Sequence, residues 1–338
     1  MIWYKDINND DIVVSTRIRL ARNLLNYPFP NRMTNKQVKD ACEEIKESII
    51  GSNSTLRNEF TMYNMEELDA KEKQLMYEKH LISSDMLKRP FASVMITKDE
   101  NMSIMLMEED HIRLQVIMGG MKLKEAYETA TKVDDVIDES VKYAFSKDFG
   151  YLTSCPTNTG TGMRASVMMH LPALTMTDNI QRIISSASNL GIAIRGLYGE
   201  GSKAYGNLYQ ISNQVTLGLC ENEIIEKVTN IVKQIIELEK DARNKIYKNN
   251  KYGLEDRIWR SLGILKNARL MTSKEAKTLI SDVIMGKNMG IITDTDKNLI
   301  ELLVYTEPAF IEADSKEKLS PEERDRQRAD FLRKELNK

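Results

Sequence analysis

Cysteine and histidine are both scarce in this chain of 338 residues, three of each, and neither set is grouped. Cys42, Cys155 and Cys220 make no CxxC pair and no disulfide framework, and His80, His111 and His170 lie too far apart for a zinc-ligand set. Neither sign of charge is in excess: 48 basic and 50 acidic residues leave a formal net charge of -2. Without a global positive field to release counterions, nucleic-acid binding is not expected as the main activity. No apolar run approaches the ~18 residues of a membrane span. The start, Met1-Ile2-Trp3-Tyr4-Lys5-Asp6, lacks the basic, apolar, small-residue order of a signal peptide. Together these absences predict a soluble cytoplasmic protein with no membrane contact and no structural metal. Nineteen methionines are read as adaptable core filler.

What is present divides into two textures, and length alone favours about two domains. Residues 1–220 mix strands and helices. Residues 11–20 alternate, so that Val14, Thr16, Ile18 and Leu20 face one way and Ser15, Arg17 and Arg19 the other, with the two guanidinium groups about 7 Å apart at the backbone. Two β runs, 91–97 and 102–118, flank the polar turn 98–101. Helical patterns fall near 34–50, 65–82, 122–146 and 177–191, and further strands near 151–154, 164–170, 192–198 and 206–217. The pattern predicts an α+β fold, an antiparallel sheet with helices on one face. Residues 221–338 read as a smaller helical domain. Ile224, Val228, Ile231, Val232, Ile235 and Leu238 make one apolar stripe, suited to an internal core or a dimer face. Thr272 with Glu275, and Ser320-Pro321 with Glu323, read as helix starts.

Four segments carry chemistry. Arg17 and Arg19 share one strand face. Within the run 102–118, Glu109, His111 and Arg113 are expected on one face of an extended strand, as an ionic row that needs partners if buried. Leu152 to Arg164 reads as a strand followed by a polar turn containing Gly160 and Gly162, whose N–H groups suit an anion, although no P-loop lysine follows. Arg195-Gly196-Leu197-Tyr198-Gly199-Glu200-Gly201 sets an arginine and a carboxylate in a glycine-bearing loop suited to closing over substrate. Guanidinium forks gathered from separate segments suit a polyphosphate, and two carboxylates suit a cationic guanidinium nucleophile. The expected activity is a kinase acting on a guanidinium.

In this joint order the segments resemble the phosphagen kinase family, the creatine and arginine kinases, over residues 11–220. The resemblance rests on Ser15-Thr16-Arg17-Ile18-Arg19, Glu108 to Arg113, Cys155-Pro156-Thr157-Asn158 to Arg164, and Arg195 to Glu200. It implies a glutamine-synthetase-like catalytic sheet domain that uses ATP with Mg²⁺. By position, Ser15 to Arg19, His80, Arg113, Arg164 with Ala165, Ser166, Val167 and Met168, and Arg195 to Glu200 would contact nucleotide. Glu109 and Glu200 would grip the guanidinium, with the Cys155 thiol beside it. Met107 departs from the family, which usually has asparagine there.

Creatine and arginine kinases carry a helical domain before the first arginine pair, whereas here sixteen residues precede Arg17. The guanidino pocket is therefore expected to be open enough for an arginine within a polypeptide. That feature and the helical region after 220 are similar to the bacterial protein-arginine kinases. By that resemblance Arg324, Asp325, Arg328 and Ala329 form an allosteric phosphoarginine site, with Arg324 and Arg328 one helical turn apart. It also implies a homodimer, protein substrates such as heat-shock repressors and misfolded proteins, an AAA+ protease that degrades the marked proteins, and a zinc-containing activator. A small-molecule guanidino kinase and a non-catalytic phosphoarginine-binding adaptor are the alternatives.

Overall fold

The computed structural model describes residues 2–6, 12–196, 204–293, 297–313, 315 and 317–337. Its main element is an eight-stranded sheet with the order β2-β3-β4-β5-β1-β8-β10-β9. The strands are β1 (Val13–Arg22), β2 (Phe60–Asn64), β3 (Ser93–Thr97), β4 (Met102–Leu106), β5 (Ile112–Gly119), β8 (Met163–His170), β9 (Ile192–Gly196) and β10 (Leu208–Asn213). A separate two-stranded ribbon pairs β6 (Phe145–Ser146) with β7 (Gly150–Tyr151). With the flanking helices this is an α+β fold built on an antiparallel sheet.

Chain contacts divide the molecule into two units, the first made of Met1–Trp3, Thr16–Ser166 and Ser212–Thr229. Within it β2 to β5 form an antiparallel meander, with Asn64 opposite Ser93, Ser93 opposite Leu106, and Leu106 opposite Ile112. Strand β2 had no sequence signal, because Phe60-Thr61-Met62-Tyr63-Asn64 is too short and mixed to show a period of two. The turn between β3 and β4 forms as predicted: Glu100 takes a positive φ of 55°, and the Thr97 hydroxyl accepts a hydrogen bond from the Met102 N–H. Helix α1 (Asn35–Ile50) starts at a Thr34–Gln37 capping box and buries Val38, Ala41, Cys42, Ile45 and Ile49, one stripe at helical spacing. Helix α2 (Ala70–Glu78) is shorter than the 65–82 pattern because its start is set by the Asp69–Glu72 capping box. Helix α3 (Leu123–Asp138) ends well before residue 146, and residues 145–146 pair instead in the small ribbon.

The second unit consists of Tyr4–Ser15, Val167–Ile211 and Asn230–Lys338. It contains the short α4 (Pro172–Met176), α5 (Ile180–Asn189), α7 (Lys251–Asn267), α8 (Ser273–Asn288), α9 (Leu299–Tyr305), α10 (Pro308–Glu312) and α11 (Pro321–Leu336). Helix α6 (Glu221–Asn249) runs through the stripe expected after 220. Ile224, Val228, Val232 and Ile235 are buried along it, while Leu238 is exposed. Thr272 caps α8 through the Glu275 N–H, and Ser320 with Glu323 forms a complete capping box on α11. Met65, Met86, Met95, Met105, Met163, Met169 and Met285 are almost fully buried, as filler should be.

Candidate active site

In the first unit, Arg19, Glu109, Arg113, Cys155, Asn158 and Arg164 line one cleft of about 180 Å³. Three elements and one loop deliver them. On β1 the fully buried Ile18 and Leu20 alternate with half-buried Arg17 and Arg19, so core packing on one face presents both guanidinium groups on the other. β1 is an inner strand between β5 and β8, not an edge strand on which arginines would reach open solvent. Arg113 comes from β5 and Arg164 from the start of β8.

The expectation that residues 102–118 form one strand is corrected here. The run is a hairpin in which Met107, with a positive φ of 61°, turns the chain, and its N–H bonds to the His111 carbonyl. Glu108, Glu109 and Asp110 occupy the turn, so Glu109, His111 and Arg113 do not form an ionic row on one strand face. Each of the turn residues has its own environment. Glu108 is fully buried, accepts two hydrogen bonds from Arg113 Nη1 at 2.5 and 2.6 Å, and also accepts from the Ser83 hydroxyl. Burial acts to raise the Glu108 pKa, but Arg113 outweighs it and the carboxyl is held below its ordinary range. In the same way burial opposes charge on Arg113, and Glu108 reverses the balance, so the Arg113 pKa is raised.

Asp110 acts as a joint. Its Oδ1 accepts from Asn23 Nδ2 and from the Ser154 N–H, each at 2.7 Å, while Asn23 Oδ1 accepts from the His111 N–H at 2.9 Å. The hairpin turn, the end of β1 and the loop before Cys155 are thereby tied together. His111 is buried as a structural residue: Nδ1 accepts from the Leu24 N–H and Nε2 donates to the Pro28 carbonyl. Burial lowers its pKa, which fits the neutral ring.

Glu109 extends outward to the cleft, with Asn158 Nδ2 3.5 Å from Oε2. Partial burial and then the charge of Asp110 raise its pKa, so this carboxylate holds a proton more strongly than an ordinary glutamate. Cys155 precedes a turn of 3₁₀ helix, Pro156–Asn158, and its sulfur lies 3.0 Å from Thr157 Oγ1. The loop is held from behind by Thr216, whose hydroxyl lies 2.9 and 2.7 Å from the carbonyls of Thr157 and Thr159. Gly160 and Gly162 have φ of +115° and +62°, and a Cβ at Gly162 would stand 2.5 Å from the Ala21 carbonyl and 2.6 Å from Arg22 Nη1.

The arginines repel one another. Burial, followed by the charges of Arg113 and Arg164, lowers the Arg17 pKa to about 10. Arg19 is likewise held well below its ordinary value, by burial and then by Arg17, Arg113 and Arg164, and its buried Nε has no hydrogen-bond partner. Cations crowded together with an orphaned donor are the environment that an anion would relieve. His80 belongs to the same region through its backbone. Gln115, two residues from Arg113 on the same face of β5, donates to the His80 carbonyl at 2.7 Å, and the imidazole meets the Trp3 ring edge-on.

Several expected site residues are elsewhere or undescribed. Ser15, Thr16, Ile18, Ala165, Ser166, Val167 and Met168 are buried in β1 and β8. The Thr16 hydroxyl bonds to the Gly120 carbonyl, and the Ser166 hydroxyl to the Arg17 carbonyl. Arg195 and Gly196 end β9 in the second unit, whereas Leu197, Tyr198, Gly199 and Glu200 lie outside the described residues. Arg324 pairs with Glu312 at 2.7 Å. Arg328 is buried and donates to the carbonyls of Thr306 and Met271 and to Asp325, with Ala329 buried beside it. Sequence reasoning missed Glu108, Asp110, Asn23 and Arg22. Arg22 is buried against Asp134 at 2.8 Å and stacks 3.5 Å over the Tyr151 ring. No local spacing signals the Asn23–Asp110 and Arg22–Asp134 pairs, whose partners lie 87 and 112 residues apart, and the Glu108–Arg113 pair forms only because the chain turns between them.

A cationic cleft with a carboxylate and a thiol on its wall, built on an antiparallel sheet, defines a phosphotransferase that handles a polyphosphate and a positively charged acceptor. Residues 41–242 match the family model for the ATP:guanido phosphotransferase C-terminal catalytic domain, and residues 251–338 match that for the protein-arginine kinase McsB C-terminal domain. A protein-arginine kinase of Caldanaerobacter subterraneus subsp. tengcongensis is 48% identical over 330 residues, covering 97% of this chain and 98% of the relative. One from Bacillus subtilis is 45% identical over 337 residues, covering 99% and 93%. Among solved structures, a lombricine kinase matches with a TM-score of 0.61 at 23% identity, covering 71% of this chain and 70% of that one, a likeness of fold. The chain belongs to the protein-arginine kinase family of ATP:guanido phosphotransferases.

Proposed function

We propose that this protein transfers the γ-phosphoryl group of ATP to the guanidinium of arginine residues in proteins. The observation that carries the reading is the cleft itself, where mutually repelling arginines, one with an orphaned donor, face Glu109 and Cys155. Arg17, Arg19, Arg113 and Arg164 hold the nucleotide phosphates, and the family resemblance assigns nucleotide contacts to Arg195 and His80 as well. Phosphoryl transfer requires positioning and charge neutralisation more than covalent help. The acceptor does need help, because a protonated guanidinium with a pKa above ~12 offers no free lone pair. Glu109 takes a proton from the attacking nitrogen as the N–P bond forms and the bond to the ADP oxygen breaks. Its raised pKa suits it to that step. Glu200 serves as the second carboxylate, and Cys155 lies beside the acceptor.

Mg²⁺ accompanies the nucleotide. Among the described residues no group of three or more His, Cys, Asp or Glu side chains is placed to hold a metal. A dication in this arginine-lined cleft is best carried on the phosphates and water, where it neutralises charge. The same reading divides the chain into a catalytic domain, 1–220, and a helical domain, 221–338; two successive family models, matched at 41–242 and 251–338, support two domains, the first match running past residue 220. Regulation by phosphoarginine at Arg324, Asp325, Arg328 and Ala329, a homodimer, a cytoplasmic setting and the marking of proteins for degradation belong to the same reading. They rest on family resemblance. No helix among the described residues is long and apolar enough to cross a membrane.

The test is mass spectrometry of an arginine-rich protein after incubation with ATP and Mg²⁺, under non-acidic conditions that spare the N–P bond. Free arginine is the parallel acceptor. Phosphoarginine in the protein is the expected product; turnover of free arginine alone would move the reading to a small-molecule kinase.

A further inference from the structure

Helix α2 ends in a backbone conformation that ordinarily calls for glycine. Its C-cap is Lys79, and the next residue, His80, has a φ of +62°. The His80 N–H bonds to the Tyr77 carbonyl and the Leu81 N–H to the Met76 carbonyl, each at 2.9 Å, the paired bonds of a left-handed helix terminus. Glycine adopts that conformation without steric cost, whereas a side chain crowds the backbone. An imidazole kept at such a position points to a use for the ring.

The surroundings fix that ring. Trp3 donates from Nε1 to the Lys79 carbonyl at 3.1 Å, and its ring meets the His80 ring at 87° with centroids 5.4 Å apart. Lys79 Nζ is itself paired with Glu100 at 2.6 Å. Gln115 holds the His80 carbonyl from β5 and also donates to the Ser103 hydroxyl. Trp3 is only 2% exposed, whereas His80 is half-buried. The imidazole, not the indole, is therefore within reach of a bound molecule.

The same contacts place His80 on the cleft side of the sheet. Gln115 and Arg113 share one face of β5, about 7 Å apart along the strand. Met105, which pairs with Arg113 between β4 and β5, packs in one cluster with Leu81, Ile82 and Met86, just after His80 in the chain. A flat ring held at a fixed angle beside a phosphate-binding arginine suits the flat base of a nucleotide.

We infer that Trp3 is a positioning residue for the nucleotide: its edge-on contact sets the angle of the His80 imidazole, against which the base of ATP rests. The inference rests on the reading of the cleft as an ATP site, and it concerns the base end alone. The arginines meet the phosphates with or without Trp3.

The full-length protein with Mg²⁺ is titrated by calorimetry with ADP and with inorganic tripolyphosphate, which has no base. Trp3→Leu should weaken ADP binding about three- to tenfold, the worth of an aromatic pair, and leave tripolyphosphate binding unchanged. His80→Gly, which suits the left-handed backbone, should weaken ADP by a similar factor. Adding Trp3→Leu to it should change nothing further, because Trp3 acts through the imidazole. Should Trp3→Leu fail to fold, a second measurement leaves Trp3 in place. With the only other tryptophan removed by Trp259→Phe, the emission of Trp3 should respond to ADP and not to tripolyphosphate. Equal weakening of both probes by Trp3→Leu, full ADP affinity in that variant, or a Trp3 emission indifferent to ADP would overturn the inference. A wild-type protein that does not bind ADP would instead overturn the ATP-site reading beneath it.

Discussion

Arg19 is held at a cost in the free protein. Its Nε is buried without a partner, and burial together with Arg17, Arg113 and Arg164 disfavours its charge. A bound polyphosphate removes both penalties, so Arg19→Met should act in opposite directions on stability and binding. Scanning calorimetry of the free variant should show a Tm raised by a few degrees, about 1 kcal/mol of relief. Nucleotide titration should show affinity weakened about tenfold or more, the worth of a lost charge-assisted hydrogen bond. A variant that loses stability and keeps ATP affinity would mean that Arg19 is a structural residue. Glu109 allows a test of another kind. Glu109→Gln should lower kcat by about 10²–10⁴-fold, the usual contribution of a general base, with ATP binding largely kept. Because Asp110 raises the Glu109 pKa, removing that charge makes Glu109 deprotonate more readily. The acid limb of kcat/KM in Asp110→Asn should therefore lie at lower pH than in the wild type. An acid limb that does not move would separate Glu109 from the titrating step.

At the scale of elements, the active-site wall is a hairpin turn joined to a loop, and Asp110 is the joint. Asp110→Ala would leave the Ser154 N–H and one of the two Asn23 Nδ2 hydrogens without an acceptor, the other staying on the Leu152 carbonyl. At about 1–3 kcal/mol for each unsatisfied buried donor, urea denaturation should show a loss of roughly 2–5 kcal/mol. A loss below 1 kcal/mol would show that water replaces the carboxylate at no great cost. The difference between what could be read from the chain and what could not follows from the range of the interactions. β1 was legible because Ile18 and Leu20 alternate with Arg17 and Arg19 under a period of two. The capping boxes at Ser320 and the helix start at Thr272 were legible because cap and partner lie three residues apart. The 102–118 run was misread because apolar residues flank the turn on both sides, and the break depends on a positive φ at Met107, a residue type with no turn preference. The roles of Glu108 and Asp110 were hidden for a different reason. Adjacent acids look alike in sequence, and only tertiary partners separate a buried arginine anchor, a cleft carboxylate and a structural joint.

Across the whole molecule, charged and polar groups buried in the second unit set how stability responds to conditions. Arg328 donates to the carbonyls of Thr306 and Met271 and to Asp325, joining the segments before α8 and after α9 to α11. His170 is the corresponding group at the end of β8, fully buried, with Nε2 2.7 Å from the Ser281 hydroxyl. Burial, and then the positive charge of Arg243, holds its pKa well below the ordinary histidine range. The native ring therefore stays neutral where the unfolded chain takes up a proton, near pH ~6.5. Stability from this source is fully present above about pH 6.5 and is lost as pH falls below it towards the depressed native value, by at most ~1.4 kcal/mol per pH unit. His170→Gln removes the proton uptake and keeps a polar side chain beside Ser281. Urea denaturation at pH 6.5 and 5.5 should show a smaller drop in unfolding free energy for the variant than for the wild type, by roughly 1 kcal/mol. Equal drops in both proteins would mean that His170 accepts its proton without unfolding, and that the positive charge of Arg243 does not keep the ring neutral.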